Sequence, residues 1–126
     1  MIAYLDTNAV IRLAHGSTRH IGREVSRLIE RAELLISPMV LFELELLYEI
    51  KRVKLPARDL HRKVEHELGV QVCDLPFAVV AEAALDEKWT RDPFDRMIVA
   101  QAKANGFAWL ISSDEEMPKH YPRTVW

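Results

Sequence analysis

The sequence predicts an α/β sandwich built on a mainly parallel central sheet of four to five strands. Three observations point there. Short, β-leaning apolar runs alternate with longer stretches of helical periodicity, and each run stops at a polar, Gly or Pro break. No internal repeat, low-complexity tract or Pro/Gly/Ser linker divides the 126 residues, so residues 1–126 read as one domain. That length suffices for a hydrophobic core.

Ile2 to Leu5 reads as the first strand and stops at Asp6, after which Thr7 or Asn8 can cap a short helix over Ala9 to Ala14. Gly16-Ser17-Thr18 breaks that helix. Ile21, Val25, Leu28, Ile29 and Ala32 then recur at helical spacing, with Arg23, Arg27, Glu30 and Arg31 opposite. Leu34 to Ile36 is a second strand. Pro38 suits the first turn of the next helix, which is expected to run to about Val53. A helix over Ala57 to Leu68 ends at Gly69, and Val70 to Cys73 gives a third strand. Pro76 opens a helix towards Lys88, and Asp92-Pro93 opens another that stops before Gly106. Ala108 to Ile111 is the fourth strand, and Arg123 to Trp126 adds an edge strand.

Composition excludes several classes. The apolar fraction is 49% and the charged fraction 29%, ordinary for a soluble globular domain, and no apolar run approaches a membrane span. The opening residues show no basic region or cleavage site of an export signal. The lone cysteine, Cys73, excludes an internal disulfide framework and fits a reducing cytoplasm. A net charge of −2 does not decide for or against nucleic acid, because local patches rather than totals set that affinity.

The acids are more informative. In parallel α/β sheets ligands bind beyond the carboxyl ends of the strands. Asp6 follows the first strand and Asp114 the fourth, so both belong on one edge. Glu43 lies on its helix amid Met39, Leu46, Leu47 and Ile50, on an apolar face where an unpaired carboxylate is costly. Asp95 likewise shares a face with Ile98, Val99 and Ala102. Asp92 has a simpler reading as an N-cap before proline. Four close carboxylates cannot all ionise without a counter-charge, and an oxygen-only set favours Mg²⁺ or Mn²⁺ over Zn²⁺. The five histidines and Cys73 show no zinc spacing, no Gly-rich phosphate loop exists, and there is no Gly-x-Ser-x-Gly elbow. Such a carboxylate site suits in-line attack of water on a phosphodiester.

Tyr4-Leu5-Asp6-Thr7-Asn8 with Ile11, Leu41-Phe42-Glu43-Leu44, Asp92-Pro93-Phe94-Asp95-Arg96 and Leu110-Ile111-Ser112-Ser113-Asp114 resemble the successive motifs of PIN-domain nucleases. The resemblance runs over nearly the whole chain, and the compact single-domain form looks like a VapC-type toxin, the ribonuclease half of a toxin–antitoxin pair. It implies a PIN-like three-layer α/β/α sandwich in which Asp6, Glu43, Asp95 and Asp114 bind Mg²⁺ or Mn²⁺ for RNA hydrolysis. It further implies that Thr7 or Asn8, and Ser112, support the acids by hydrogen bonds, with Asp92 either a cap or an outer acid. A homodimer and an antitoxin whose arginine competes with substrate are implied too.

The apolar surplus at Leu41, Phe42, Leu44 and Tyr48 fits a dimer or antitoxin surface, or equally a helix buried on both sides. Arg12, Arg19, Arg23, Arg91 and Arg96 are candidates for RNA phosphate contacts. Two other classes compete. An aspartyl-phosphate hydrolase also places an Asp after its first strand, but needs a second Asp where this chain has Asn8. A binding module with a vestigial site is disfavoured by four intact acids.

Overall fold

The computed structural model describes residues 1–16 and 21–126; the expected break at Ser17-Thr18 and the candidate Arg19 lie outside them. Among the described residues the chain forms, in order, β1 (Ile2–Leu5), α1 (Thr7–Ala14), α2 (Arg23–Arg31), β2 (Glu33–Ile36), α3 (Pro38–Glu49), α4 (Ala57–Leu68), β3 (Gln71–Val72), α5 (Phe77–Ala84), α6 (Pro93–Ala104), β4 (Trp109–Ile111), α7 (Met117–His120) and β5 (Thr124–Val125). The strands pair in the order β3-β2-β1-β4-β5. Every pairing is parallel, with Ala3 beside Leu34 on one side of β1 and Tyr4 beside Leu110 on the other. The expected sheet is therefore present, with the edge strand as its fifth member.

The order reverses at β1, whose neighbours β2 and β4 lie on opposite sides, so the carboxyl ends of β1 and β4 flank a topological switch point. In such sheets this is where a crevice opens. The core beneath it is built from fully buried Tyr4, Leu5, Ile36, Leu44, Leu60, Ile98, Leu110 and Ile111. A smaller cluster of Val80, Ala84, Met97 and Ala100 joins α5 to α6.

A buried polar network fixes α6 against the sheet. Tyr4 donates its hydroxyl to Cys73 Sγ at 3.0 Å and accepts from Asn105 Nδ2 at 2.6 Å, while Gln101 Nε2 donates to Cys73 Sγ at 3.3 Å. Each polar atom so placed is satisfied, as burial requires. The Cys73 thiol is thus a structural group.

Four local expectations are corrected. The cap of α1 is Asp6, not Thr7 or Asn8: its Oδ1 accepts from Ala9 N at 2.8 Å. Helix α3 stops at Glu49 instead of Val53, because Lys51 adopts φ 64° and Arg52 N reaches back to Leu47 O at 2.8 Å. This is a left-handed C-terminal stop made without glycine, which no local residue signal announces. Helix α5 ends at Ala84 instead of Lys88, because the Arg96 side chain donates to the carbonyls of Ala84 (3.0 Å) and Leu85 (3.3 Å). The short α7 was not anticipated; four residues carry no readable periodicity.

Candidate active site

Asp6 sits at the end of β1, where its backbone N–H donates to Ile111 O of β4 at 3.1 Å. This ties the two strand ends together directly under the switch point. The side chain is 5% exposed, and its second oxygen, Oδ2, accepts from the Ser112 hydroxyl. Ser112 Oγ also accepts from Asp114 N at 3.1 Å, and Asp114 Oδ1 in turn accepts from Glu116 N at 2.9 Å. One hydroxyl thus links the acid after β1 to the loop carrying the acid after β4. Across the crevice, Thr7 donates its hydroxyl to Glu43 Oε1 of α3.

On the remaining side, Asp92 caps α6 by accepting from Phe94 N (2.8 Å) and Asp95 N (3.2 Å). Asp95 occupies the first turn of α6, ahead of the buried run Met97 to Ala102. Its carboxylate accepts no hydrogen bond among the described residues. Four separate elements therefore bring Asp6, Glu43, Asp95 and Asp114 to one crevice, with Asp92 on its rim.

The electrostatics follow from burial and like charge. Burial pushes the Asp6 carboxyl up to about 6, opposed by its bonds from Ser112 and Ala9 and assisted by the charges of Asp114 and Glu43. Glu43 is also raised, chiefly by burial; the Thr7 hydroxyl opposes the shift and the charge of Asp92 adds to it. Asp95 rises to about 7, through burial first and then the charges of Asp92, Glu43, Asp6 and Asp114. These acids feel one another, and among the described residues no basic side chain pairs with them. Among the described residues the ion pairs are Lys103–Glu87 and Lys119–Glu116, and neither includes an acid of the crevice. Mutual repulsion of this kind is relieved by protonation or by a cation.

The expected roles sort out unevenly. Thr7 and Ser112 hold acids by hydrogen bonds. Asn8 is exposed and makes none to the acids among the described residues, so the choice between Thr7 and Asn8 falls to Thr7. Asp92 is a helix cap whose charge also bears on Glu43 and Asp95. Glu43 lies beside rather than within the core face of α3. That face is Val40 and Leu44, whereas its expected neighbours Leu46 and Ile50 are 37% and 63% exposed. Because α3 is apolar almost all round, its helical wheel cannot tell which arc turns inward.

Among the basic candidates, Arg96 is engaged in capping α5 and is not free for phosphate. Arg12 stacks over the Trp126 ring at 5.6 Å, and Arg91 is exposed with one bond to Lys88 O at 3.2 Å. A feature the sequence reading missed is an aromatic pair at the mouth: the rings of Phe42 and Phe94 lie 6.0 Å apart. The available signal was adjacency, since each Phe directly precedes an acid of the cluster.

Among the described residues no three Asp, Glu, His or Cys side chains converge closely enough to enclose an ion. The crevice is an open, coupled set of oxygens and not a closed cage.

The fold has close relatives among solved structures. VapBC2 from Rickettsia felis, bound to a DNA fragment from their promoter, matches with a TM-score of 0.66 at 20% identity, over 99% of this chain and 96% of that one. VapBC-1 from nontypeable Haemophilus influenzae matches with a TM-score of 0.65 at 21% identity, over 100% and 96%. A toxin–antitoxin complex from Klebsiella pneumoniae matches with a TM-score of 0.62 at 21% identity, over 98% and 96%. At these identities the likeness is one of fold. No curated protein matches the sequence. The family model of the PIN domain matches residues 3–121, from β1 to just beyond α7. On that match, spanning every acid of the crevice, the chain belongs to the PIN-domain family.

Proposed function

We propose that this protein is a metal-dependent endoribonuclease and the toxin of a toxin–antitoxin pair, with Asp6, Glu43, Asp95 and Asp114 as its catalytic acids. The observation that carries the reading is the gathering of these four carboxylates at the carboxyl edge of the sheet, none of them ion-paired among the described residues. The resemblance to VapBC complexes supports the antitoxin partner, and RNA is the substrate that the motif resemblance implies.

The donor set fits a hard divalent cation. It is oxygen-only, mutually repulsive, and includes Asp95, which lacks a hydrogen-bond partner among the described residues. Its openness suits Mg²⁺, or Mn²⁺ in its place, because Mg²⁺ is commonly held by one or two carboxylates and keeps several waters. Bound there, such an ion supplies Lewis acidity, polarising phosphoryl oxygens and making water a better nucleophile.

The chain's own residues do the positioning. Ser112 and the Ala9 N–H fix both oxygens of Asp6, and Thr7 fixes Glu43, so neither carboxylate must reorganise when a charge arrives. Supports of this kind are typically worth 10–100-fold in metal affinity or activity. In the metal-free protein burial and the neighbouring acids raise Asp95 to about 7, so a cation bound there would displace its proton near neutrality. We also infer a homodimer and a cytoplasmic setting. Exposed Leu46 and Ile50 of α3, with Phe77 and Leu85 beside α5, supply apolar surface for a second copy or an antitoxin. Inhibition of translation is the expected consequence of RNA cleavage.

The deciding experiment is cleavage of RNA by purified protein with Mg²⁺ or Mn²⁺, alongside Asp6→Asn and an EDTA control. Cleavage lost in both controls is expected; cleavage that survives both overturns the metal-nuclease reading. An overlapping upstream frame for a short DNA-binding partner separates a toxin from a solitary RNA-processing PIN nuclease.

A further inference from the structure

The turn between α3 and α4, together with the first two turns of α4, carries a concentration of positive charge. Lys51, Arg52, Lys54, Arg58, Arg62 and Lys63 fall within residues 51–63, with Asp59 the only acid among them, in a chain whose net charge is −2. All six are exposed, and none is ion-paired among the described residues. Arg58 and Arg62 stand one turn apart on the same stripe of α4. Glu45 is engaged nearby: its Oε1 accepts from Ala57 N at 3.1 Å, closing the N-terminus of α4 in place of a side-chain cap.

Phe42, next to Glu43 in the chain, joins this basic surface to the neighbourhood of the acid crevice. Arg58 lines an open groove of about 340 Å³ with Pro38, Leu41, Phe42, Glu45 and Ala57. Phe42 is 58% exposed, pairs with Phe94, and directly precedes Glu43. Beyond it, Lys51 and Lys54 line a second hollow with Tyr48, Glu49 and Val53. From Glu43 to the end of α3 is only ~9 Å of helix at ~1.5 Å per residue. Acids, then an exposed aromatic ring, then a row of unpaired cations is the sequence of chemistries a single strand meets when a base stacks and the following phosphates are held.

We propose that the α3–α4 turn is the substrate track of this enzyme, with Phe42 stacking a base beside the scissile phosphate and Lys51, Lys54, Arg58 and Arg62 holding the backbone of single-stranded RNA. The assignment rests on the nuclease reading for its direction towards the acids, but the surface is testable without it. None of the four cations was singled out by the sequence reading, which looked for isolated arginines near the motifs instead of a cluster one helix away.

The test is the quadruple variant Lys51→Gln, Lys54→Gln, Arg58→Gln, Arg62→Gln, with an unchanged thermal melt as the check on folding. An RNA of about 12 nucleotides and a dinucleoside monophosphate serve as substrates, the longer able to reach the turn and the shorter, whose single phosphate is the scissile one, not. For the longer RNA, KM is expected to rise by about tenfold or more with kcat held, and kcat/KM for the shorter to stay unchanged. In fluorescence anisotropy on the longer RNA in EDTA, four lost phosphate contacts at ~0.7 each make the salt slope shallower by about 3. An unchanged salt slope, or equal losses on both RNAs, overturns the proposal; the first result leaves the surface to an acidic protein partner. Wild-type protein that cleaves neither RNA would refute the nuclease reading alone, and the anisotropy arm would still decide the track.

Discussion

Neutralising Asp6 should stabilise the metal-free protein, and the gain should depend on pH in a defined direction. The Asp6 carboxyl is buried, and its pKa is raised from 3.8 to about 6. A raised acid binds its proton more tightly in the folded state. Stability from this group is therefore complete below pH 3.8 and falls as pH rises towards about 6. Two pKa units at ~1.4 kcal/mol each give a cost of about 3 kcal/mol at pH 8. Asn has nearly the shape of the neutral acid and keeps an oxygen for Ala9 N; as an N-cap it is as good as Asp. Loss of the charge at the start of α1 returns up to ~1 kcal/mol of helix-dipole stabilisation. Asp6→Asn should then be about 2 kcal/mol more stable than wild type at pH 8 in EDTA, a rise in Tm of roughly 5–10 °C. At pH 4 the two proteins should melt nearly together. Addition of Mg²⁺ or Mn²⁺ at pH 8 should reverse the order, since an ion at 100 times its Kd stabilises only the protein that binds it, by ~2.7 kcal/mol. Differential scanning calorimetry across pH 4–8 is the measurement. A variant less stable than wild type at pH 8 in EDTA, or a gap that does not change with pH, refutes this reasoning.

Ser112→Ala removes the hydroxyl that favours the charged form of Asp6 and also orders Asp114 N. Calorimetric titration should show Mg²⁺ or Mn²⁺ affinity falling 10–100-fold, with Ser112→Thr restoring most of it. Because Asp95 is raised to about 7, wild-type metal affinity should climb between pH 5.5 and 7.5 as its proton is displaced, and Asp95→Asn should flatten that climb. Arg96→Ala should cost ~1–3 kcal/mol by leaving the end of α5 uncapped, while kcat stays unchanged. A fall in kcat at unchanged Tm would return Arg96 to the substrate.

The α/β class, the parallel sheet and nine of the twelve elements within a residue or two were legible locally. Each rests on a short-range cause: apolar runs for the strands, Pro38 and Asp92-Pro93 for helix starts, and Gly69, at φ 74°, for the end of α4. The failures share a different cause. Helix α5 stops where Arg96, twelve residues on, takes its last carbonyl, and α3 stops where Lys51 accepts a left-handed backbone without being glycine. Neither stop can be read from the residues at the stop.

The same division runs through the site. Sequence by itself determined which acids stand at strand ends, because Asp6 and Asp114 are fixed by where β1 and β4 run out, and parallel strands share one carboxyl edge. It also determined that Asp92 caps α6, a contact made within three residues. Only the tertiary structure decided that Ser112 answers Asp6 across 106 positions, that Thr7 and not Asn8 reaches Glu43, and that Glu43 flanks the core instead of entering it. The reason is physical. Caps and strand ends are set by hydrogen bonds a few residues long, whereas the state of a buried carboxylate depends on every charge, hydroxyl and apolar surface the fold brings within reach, most of them distant in the chain.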